Sequence, residues 1–188
     1  MKNVKYVAKI ALPLLAICIV TVAVLAAVNA FTSPVIAQNR QSELDANMAS
    51  FFGEGIETSV VENAEFDKSV KIVYSVSKGG ALTGYCFDVT GNGAYKGKIE
   101  VLVAIGADGR IIGISNVQNG ETPSIGGRVL TEDYISENYV GHTSAQLERD
   151  KDVVFLSGAT KTSTALNNAV KNAFAAYRLL SEGKEASK

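Results

Sequence analysis

Apolar residues are concentrated near the start of the chain, in the segment Ile10–Phe31. The segment contains no charged residue. As a helix it would be about 33 Å long, which matches a hydrocarbon core about 30 Å thick. Lys2, Lys5 and Lys9 precede it, and such basic residues favour the cytoplasmic side. The pattern predicts one transmembrane helix, with the remainder of the chain outside the cytoplasm.

A cleavable signal peptide is the alternative interpretation of this segment. Val28-Asn29-Ala30 resembles a cleavage site with small residues at its two ends. The apolar segment is, however, longer than the roughly 7–15 residues of a signal-peptide core. Its length therefore favours an anchor that is retained.

After the anchor, recurring apolar residues predict a helix over Val35–Phe52, ended by Gly53 and Gly55. Four runs rich in β-branched and aromatic residues follow, separated by turns that contain glycine. The predicted strands are Val70–Val76, Leu82–Val89, Ile99–Ile105 and Arg110–Val117. The predicted turns are Lys78-Gly79-Gly80, Gly91-Asn92-Gly93 and Ala107-Asp108-Gly109. Such short connections predict an antiparallel sheet.

The second half of the chain alternates loops with helical patterns. It contains a loop at Asn119–Arg128, a short helix at Glu132–Tyr139, an apolar strand at Val153–Leu156 and a helix at Ser163–Leu180. The last helix has an apolar stripe that fits packing on a sheet. Its members are Leu166, Ala169, Val170, Ala173, Phe174 and Tyr177. The fold class is therefore α+β: a transmembrane helix, then one extracytoplasmic domain with a mainly antiparallel sheet packed by helices.

These patterns divide the chain into five segments. We assign 1–9 to a cytoplasmic terminus, 10–31 to the anchor, 32–68 to a juxtamembrane helix and connector, 69–182 to the main domain, and 183–188 to a polar tail.

Charge and composition disfavour several kinds of site. The chain has 18 basic and 19 acidic residues and a net charge of -1, so nothing indicates a nucleic-acid partner. Cys18 and Cys86 form no metal-ligand motif, and His142, the one histidine, has no partner at ligand spacing. Zinc, haem and iron–sulfur sites are therefore disfavoured, and we assign no metal ligand.

The candidate chemistry lies in Ser157-Gly158-Ala159-Thr160, where the predicted strand turns into the last helix. The free backbone N–H groups and the dipole at a helix start favour an anion such as a phosphate. Lys161 adds positive charge, and Thr162 or Ser163 could cap the helix. On spacing alone, an ordinary strand-to-helix turn with capping residues is the favoured interpretation, because small hydroxyl residues before helices are common.

This motif, with Thr162-Ser163 after it, resembles the flavinylation motif of a family of FMN-binding domains. That domain is shared by the G subunit of Rnf-type ion-translocating complexes and the C subunit of the sodium-pumping NADH:quinone reductase. The resemblance implies that Thr160 carries FMN through a phosphoester bond, which a separate flavin transferase forms. It also implies that the neighbouring residues bind the cofactor: Ser157, Gly158, Ala159, Lys161, Thr162 and Ser163.

Two further segments carry the resemblance. Glu121-Thr122-Pro123-Ser124-Ile125-Gly126 is similar to the family's Glu-Thr-Pro-Gly-Leu-Gly loop, with departures at Ser124 and Ile125. Val28–Ala37 resembles the end of the anchor in Rnf G subunits. The first match implies a wall of the flavin site formed by Glu121, Thr122, Ile125 and Gly126. The alternative is a rigid surface turn.

Because the loop is far from Thr160 in sequence, we expect it to tune the flavin without being needed for attachment. For Tyr85 and Tyr95, packing in the core or at the sheet edge is the favoured role, ahead of stacking on the flavin.

The implied function is that of an electron-carrying flavoprotein subunit in the cell membrane. Its complex would couple electron transfer of the ferredoxin/NAD type to ion translocation. Integral membrane redox subunits would be its partners, since the sequence lacks a glycine-rich NAD fingerprint. A stand-alone cell-surface flavin carrier, a C-type subunit of a sodium-pumping quinone reductase and a non-redox adhesion domain are the alternatives.

One position departs from the family pattern. The motif usually carries an Asp six residues before the modified Thr, where this chain has Val154. Asp152 would project on the same side of an extended strand, displaced by about 7 Å. Either Asp152 substitutes for the missing acid, or the transferase recognises the site poorly. A buried acid at position 154 would need its own partner.

Overall fold

The computed structural model describes residues 2–61 and 66–185. Its elements are helix α1 (Lys2–Phe52), strands β1 (Ile56–Val60), β2 (Val70–Lys78), β3 (Ala81–Ala94), β4 (Gly97–Gly106) and β5 (Ile111–Asn119), a 3-10 helix (Gly126–Leu130), and helices α2 (Glu132–Asn138) and α3 (Thr160–Glu185). The predicted terminus, connector and tail include residues 1, 62–65 and 186–188, which lie outside the described residues.

Two compact units divide the chain, Met1–Ser42 and Glu43–Lys188. The first consists of the amino-terminal part of α1, and its large apolar side chains from Ile10 to Ile36 are exposed. By length and composition, Ile10–Phe52 can cross a membrane once. The helical continuation predicted after the anchor is confirmed, and the helix runs through Pro34 without a break.

The second unit contains a five-stranded antiparallel sheet in which each strand pairs with its neighbours in the chain, in the order β1-β2-β3-β4-β5. The α+β prediction is therefore confirmed. All four predicted strands are present, and β1 is an additional edge strand. Four of its five residues are exposed, so it lacks the alternation of buried and exposed positions that identifies a strand in sequence.

The turn predicted at Gly91-Asn92-Gly93 is wrong, because β3 continues to Ala94 and the chain reverses at Tyr95 and Lys96. A Cβ atom on Gly91 would lie 2.5 Å from the carbonyl oxygen of Ala165 in α3. This glycine therefore permits close packing of the helix on the strand and does not form a turn.

Helix α3 covers one face of the sheet through its predicted apolar stripe. Leu166, Ala169, Val170 and Ala173 are fully buried, while Tyr177 is half-buried. They pack in one cluster with alternate residues of the central strands: Tyr85, Phe87, Val89, Val101, Val103 and Ile105. Burial of this stripe positions the start of α3 beside the sheet.

The last turns of α1 cover the opposite face. Leu44, Met48 and Phe52 recur every four residues, are all buried, and pack on residues of β2, β3 and β4 that include Cys86 and Leu102. Both faces of the sheet are therefore packed by a helix within the second unit.

Candidate cofactor site

The turn Ser157–Thr160 leads directly into α3. The helix begins at Thr160, three residues before the predicted start at Ser163. Gly158 has a φ of +81°, which a residue with a side chain rarely adopts, and the N–H of Ala159 donates to the Leu156 carbonyl at 3.0 Å. Thr160 is exposed at the first helical position.

Thr162 and Ser163, considered as caps, instead lie inside the first turn of α3. Ser163 Oγ donates to the Ala159 carbonyl at 3.2 Å and accepts from the Leu156 N–H at 3.3 Å. The residue before the helix is Ala159, whose side chain cannot cap. The first backbone N–H groups of α3 therefore have no acceptor in the side chain of Ala159, and the exposed hydroxyl of Thr160 lies beside them.

The strand predicted at Val153–Leu156 is wrong. In the described part of the chain, Val153 forms a single isolated bridge with Arg149, and the next three residues have no regular structure. Side chains of α2 replace a neighbouring strand, because Asn138 and Tyr134 bind the N–H and the carbonyl of Val154.

Asp152 and Val154 are not on an extended strand either. Asp152 lies in a turn, and its Oδ2 accepts from the Glu148 N–H at 3.0 Å. The Val154 side chain is 61% exposed. The extended geometry assumed for these two positions is therefore absent, and an acid at position 154 would not be buried.

Glu121 connects three segments of the chain. It is only 7% exposed, its Oε1 accepts from the Lys96 N–H at 2.7 Å, and its Oε2 accepts from the Thr162 hydroxyl at 2.9 Å. The Glu121 loop, although distant in sequence, is therefore bonded to the first turn of α3.

The loop after Glu121 is a compact turn. The N–H groups of Ile125 and Gly127 both donate to the Thr122 carbonyl, at 3.0 and 2.9 Å. A Cβ atom on Gly126 would collide with Glu121 Oε2 and lie 2.8 Å from Thr162 Oγ1. Only glycine at position 126 leaves the bond between Glu121 and Thr162 undisturbed.

A cavity of about 510 Å³ lies where these segments meet. It is lined by Tyr95, Lys96, Glu121, Thr122, Ile125, Gly126, Gly158, Ala159, Thr160, Lys161 and Thr162. Nine of the eleven site residues inferred from the sequence belong to this lining; Ser157 and Ser163 do not.

Two residues of the lining were not predicted as site residues, and both belong to the turn between β3 and β4. Lys96 was not considered, and Tyr95 was assigned to packing. Tyr95 is 70% exposed, so the packing interpretation is wrong for this residue, whereas it is confirmed for Tyr85, which is 5% exposed. An aromatic residue next to lysine in a tight turn was the available signal.

The cavity has the size and the groups that a flavin mononucleotide requires. Its volume lies in the range of about 300–1,000 Å³ typical of cofactor sites. Lys96, Lys161 and the start of α3 suit a phosphate, and Tyr95 and Ile125 offer apolar surface to a ring. Among the described residues, no group of three or more His, Cys, Asp and Glu side chains is placed to hold a metal ion.

Comparison with known proteins agrees with this geometry. Residues 94–175 match the FMN-binding domain family, and residues 1–50 match the RnfG N-terminal region. The G subunit of the ion-translocating oxidoreductase complex from one Cereibacter sphaeroides strain is 30% identical over 162 residues, covering 79% of this chain and 74% of the relative. This chain belongs to the family of G subunits of ion-translocating oxidoreductase complexes.

Other G subunits align over different lengths. The G subunit of the proton-translocating ferredoxin:NAD(+) oxidoreductase complex of Clostridium ljungdahlii is 27% identical, with 89% of each chain covered. The G subunit of another C. sphaeroides strain is 35% identical, but the alignment spans 55% of this chain and 51% of that relative. The predictions of the family and of FMN as cofactor are confirmed.

Proposed function

We propose that this chain is the electron-carrying flavoprotein subunit of a membrane complex that couples electron transfer of the ferredoxin/NAD type to ion translocation. In this proposal, FMN is esterified to Thr160. The observation that supports it most strongly is the convergence of Thr160 and the Glu121 loop on one cavity of about 510 Å³. The names of the related G subunits support the assignment to an ion-translocating complex.

The site would hold the phosphate end of FMN at the start of α3. Lys161 and Lys96 supply positive charge, and the first-turn N–H groups supply donors. Glu121 already accepts from Lys96 and Thr162, so in this proposal it forms part of the cavity wall by joining these two segments. Thr122, Ile125 and Tyr95 are left to contact the ring. Bound FMN would supply the redox chemistry.

Attachment requires an activated flavin donor, because the direct condensation of free FMN with a hydroxyl, which releases water, is thermodynamically unfavourable in aqueous solution. A flavin dinucleotide supplies this activation through its phosphoanhydride bond. Thr160 Oγ would form the new bond to the FMN phosphorus while the phosphoanhydride bond breaks. The nucleoside monophosphate leaves with the electron pair, and the threonine proton passes to a base of the transferase. The chain gains the mass of FMN less one water.

A tethered cofactor suits a protein outside the cytoplasm, because a flavin that dissociates there is diluted, whereas a tether fixes its effective concentration. The cavity can then remain open to docking redox subunits. The chain is proposed to receive electrons from one such subunit and to pass them to another.

The membrane arrangement is part of the proposal. Residues 10–31 cross the cytoplasmic membrane once, the amino terminus is cytoplasmic, and residues 69–182 form the extracytoplasmic FMN-binding domain. A reporter enzyme that is active only outside the cytoplasm, fused after Lys188, should be active. Recovery of a soluble form that begins near Phe31 would instead support a cleaved signal peptide.

Affinity purification of the full chain from its own membranes, in mild detergent, tests the complex. We expect integral membrane redox subunits to co-purify, together with a flavin-fluorescent band of this chain on a denaturing gel. A fluorescent band without co-purifying subunits would favour a stand-alone cell-surface carrier. Absence of flavin from the purified chain would contradict the proposal.

A further inference from the structure

The segment that leads into the attachment turn is held by side chains and not by a strand. The Val154 N–H donates to Asn138 Oδ1 at 2.9 Å. On its other side, the Val154 carbonyl accepts from the Tyr134 hydroxyl at 2.8 Å. Both backbone polar groups of Val154 are therefore satisfied by residues of α2, as a neighbouring strand would satisfy them.

The two α2 side chains are fixed in these orientations. Asn138 and Tyr134 are each only 7% exposed. The Asn138 amide donates to the Tyr134 carbonyl at 2.9 Å, which directs its oxygen toward Val154. The Tyr134 hydroxyl is protonated at neutral pH, because its ordinary pKa is about 10 and burial raises that pKa further, so it can donate to the Val154 carbonyl.

The other end of the segment is bonded to α3. Ser163 Oγ accepts from the Leu156 N–H and donates to the Ala159 carbonyl. Between these two ends, the Phe155 N–H donates to Asp150 Oδ1 at 3.3 Å. The segment before Thr160 is therefore held by single side-chain contacts from α2, the preceding turn and the first turn of α3. Because few hydrogen bonds hold this segment, the loss of one should release it locally.

We propose that Asn138 and Tyr134 are positioning residues of the flavin site, which hold the Val154–Leu156 segment so that the Thr160 hydroxyl lies on the cavity wall. The effect on flavin attachment rests on the proposed function, whereas the hydrogen bonds to Val154 do not depend on it. Neither residue lines the cavity, so both would act through the backbone that precedes Thr160. Helix α2 thereby becomes part of the cofactor site without contacting the cofactor.

Amide hydrogen exchange of the flavin-free full chain in detergent tests the contacts. Asn138→Ala and Tyr134→Phe each remove one bond to Val154. Loss of one such bond should speed exchange at Val154–Leu156 about fivefold, while exchange in β3 and β4 stays unchanged. The matched control is Tyr177→Phe, which removes a hydroxyl-to-carbonyl bond of 3.1 Å to Ala107 and should leave Val154–Leu156 unaffected.

The rate of flavin attachment, measured by intact mass with a flavin transferase and a flavin dinucleotide, tests the consequence. We expect attachment to slow in both variants and to keep the native rate in the control, which would show that the effect is not one of general stability. Unchanged exchange at Val154–Leu156, or equal acceleration throughout the sheet, overturns the inference.

Tyr134→Phe keeps the ring and its packing, so the test survives if Asn138→Ala does not fold. Faster local exchange combined with native attachment rates overturns the positioning role. Failure of the native chain itself to acquire flavin contradicts the proposed function, while the exchange result still decides the contacts.

Discussion

Glu121 offers a graded test of how the site is assembled. Its buried carboxylate joins the β3–β4 turn, through the Lys96 N–H, to the first turn of α3, through the Thr162 hydroxyl. Glu121→Ala removes both bonds. The Lys96 N–H lies in an exposed turn and can bond to water, whereas Thr162 is fully buried. Bonds to a charged group contribute about 1.5–3 kcal/mol each, and an unsatisfied buried hydroxyl costs about 1–3 kcal/mol.

Because water replaces the Lys96 bond, the buried Thr162 hydroxyl dominates, and the predicted loss in the free energy of unfolding for Glu121→Ala is about 3 kcal/mol. Glu121→Gln keeps the shape of the side chain. Its carbonyl can accept from Lys96, and its amide can donate to Thr162 Oγ1, so the expected loss is about 1 kcal/mol. Exposed Glu137 provides the control, since Glu137→Ala should change the free energy by less than about 0.5 kcal/mol.

Unfolding can be followed in the flavin-free full chain by pulsed alkylation of Cys86 across a urea series. A Cys18→Ser background leaves Cys86 as the one reactive thiol, and because Cys86 is fully buried in the sheet, it reports opening of the domain. Equal losses for the Ala and Gln variants, or an Ala variant as stable as Glu137→Ala, would refute the assignment of Glu121 as the connection between these segments.

Three other predictions concern single side chains. Val154→Asp should change the free energy of unfolding by less than about 0.5 kcal/mol, because the side chain is 61% exposed, and it should speed flavin attachment. A slower attachment rate would contradict a role for an acid at this position. Equal attachment rates for Asp152→Ala and the native chain would show that Asp152 does not substitute for the missing acid. Burial raises the pKa of the Cys86 thiol to about 12, so the native chain should resist alkylation at pH 8 and react once urea unfolds it; rapid labelling of the native chain would be inconsistent with the fold. Tyr95→Ala should lengthen the flavin fluorescence lifetime by removing a ring contact, whereas Tyr85→Phe in the core should not; an unchanged lifetime in Tyr95→Ala would remove Tyr95 from the ring site.

The sequence predicted those parts of the fold whose residues pack on a single continuous surface. The stripe of α3 is an example, because burial against one sheet requires apolar residues at helical spacing. Strand β1 was not predicted, since an edge strand with exposed residues shows no alternation. Gly91 was predicted to be part of a turn because glycine is typical of turns. Its actual role, to allow the close approach of α3 at Ala165, is a tertiary contact that leaves no local signal in the sequence.

The candidate site was predictable where it resembles a family motif, and it was incomplete where distant segments contribute. Lys96 is bonded to Glu121 through its backbone N–H, a group that every residue except proline carries, so this contact could not be predicted from the residue type. Val154 lies in an apolar run typical of a strand, yet its hydrogen-bond partners are the side chains of Asn138 and Tyr134. Sequence patterns identify which residues need partners, but not whether backbone or side chains provide them.

Thr160 is proposed to carry FMN, and intact-mass measurement tests this attachment most directly. The full chain would be produced with a flavin transferase, alongside Thr160→Ala and Thr164→Ala. Thr164 is an exposed threonine one helical turn later, whose hydroxyl donates to the Thr160 carbonyl at 2.8 Å, and it controls for loss of a nearby hydroxyl. We expect the mass of one FMN less one water on the native chain and on Thr164→Ala, and none on Thr160→Ala. Covalent flavin on Thr160→Ala, or an unmodified native chain, would contradict the account.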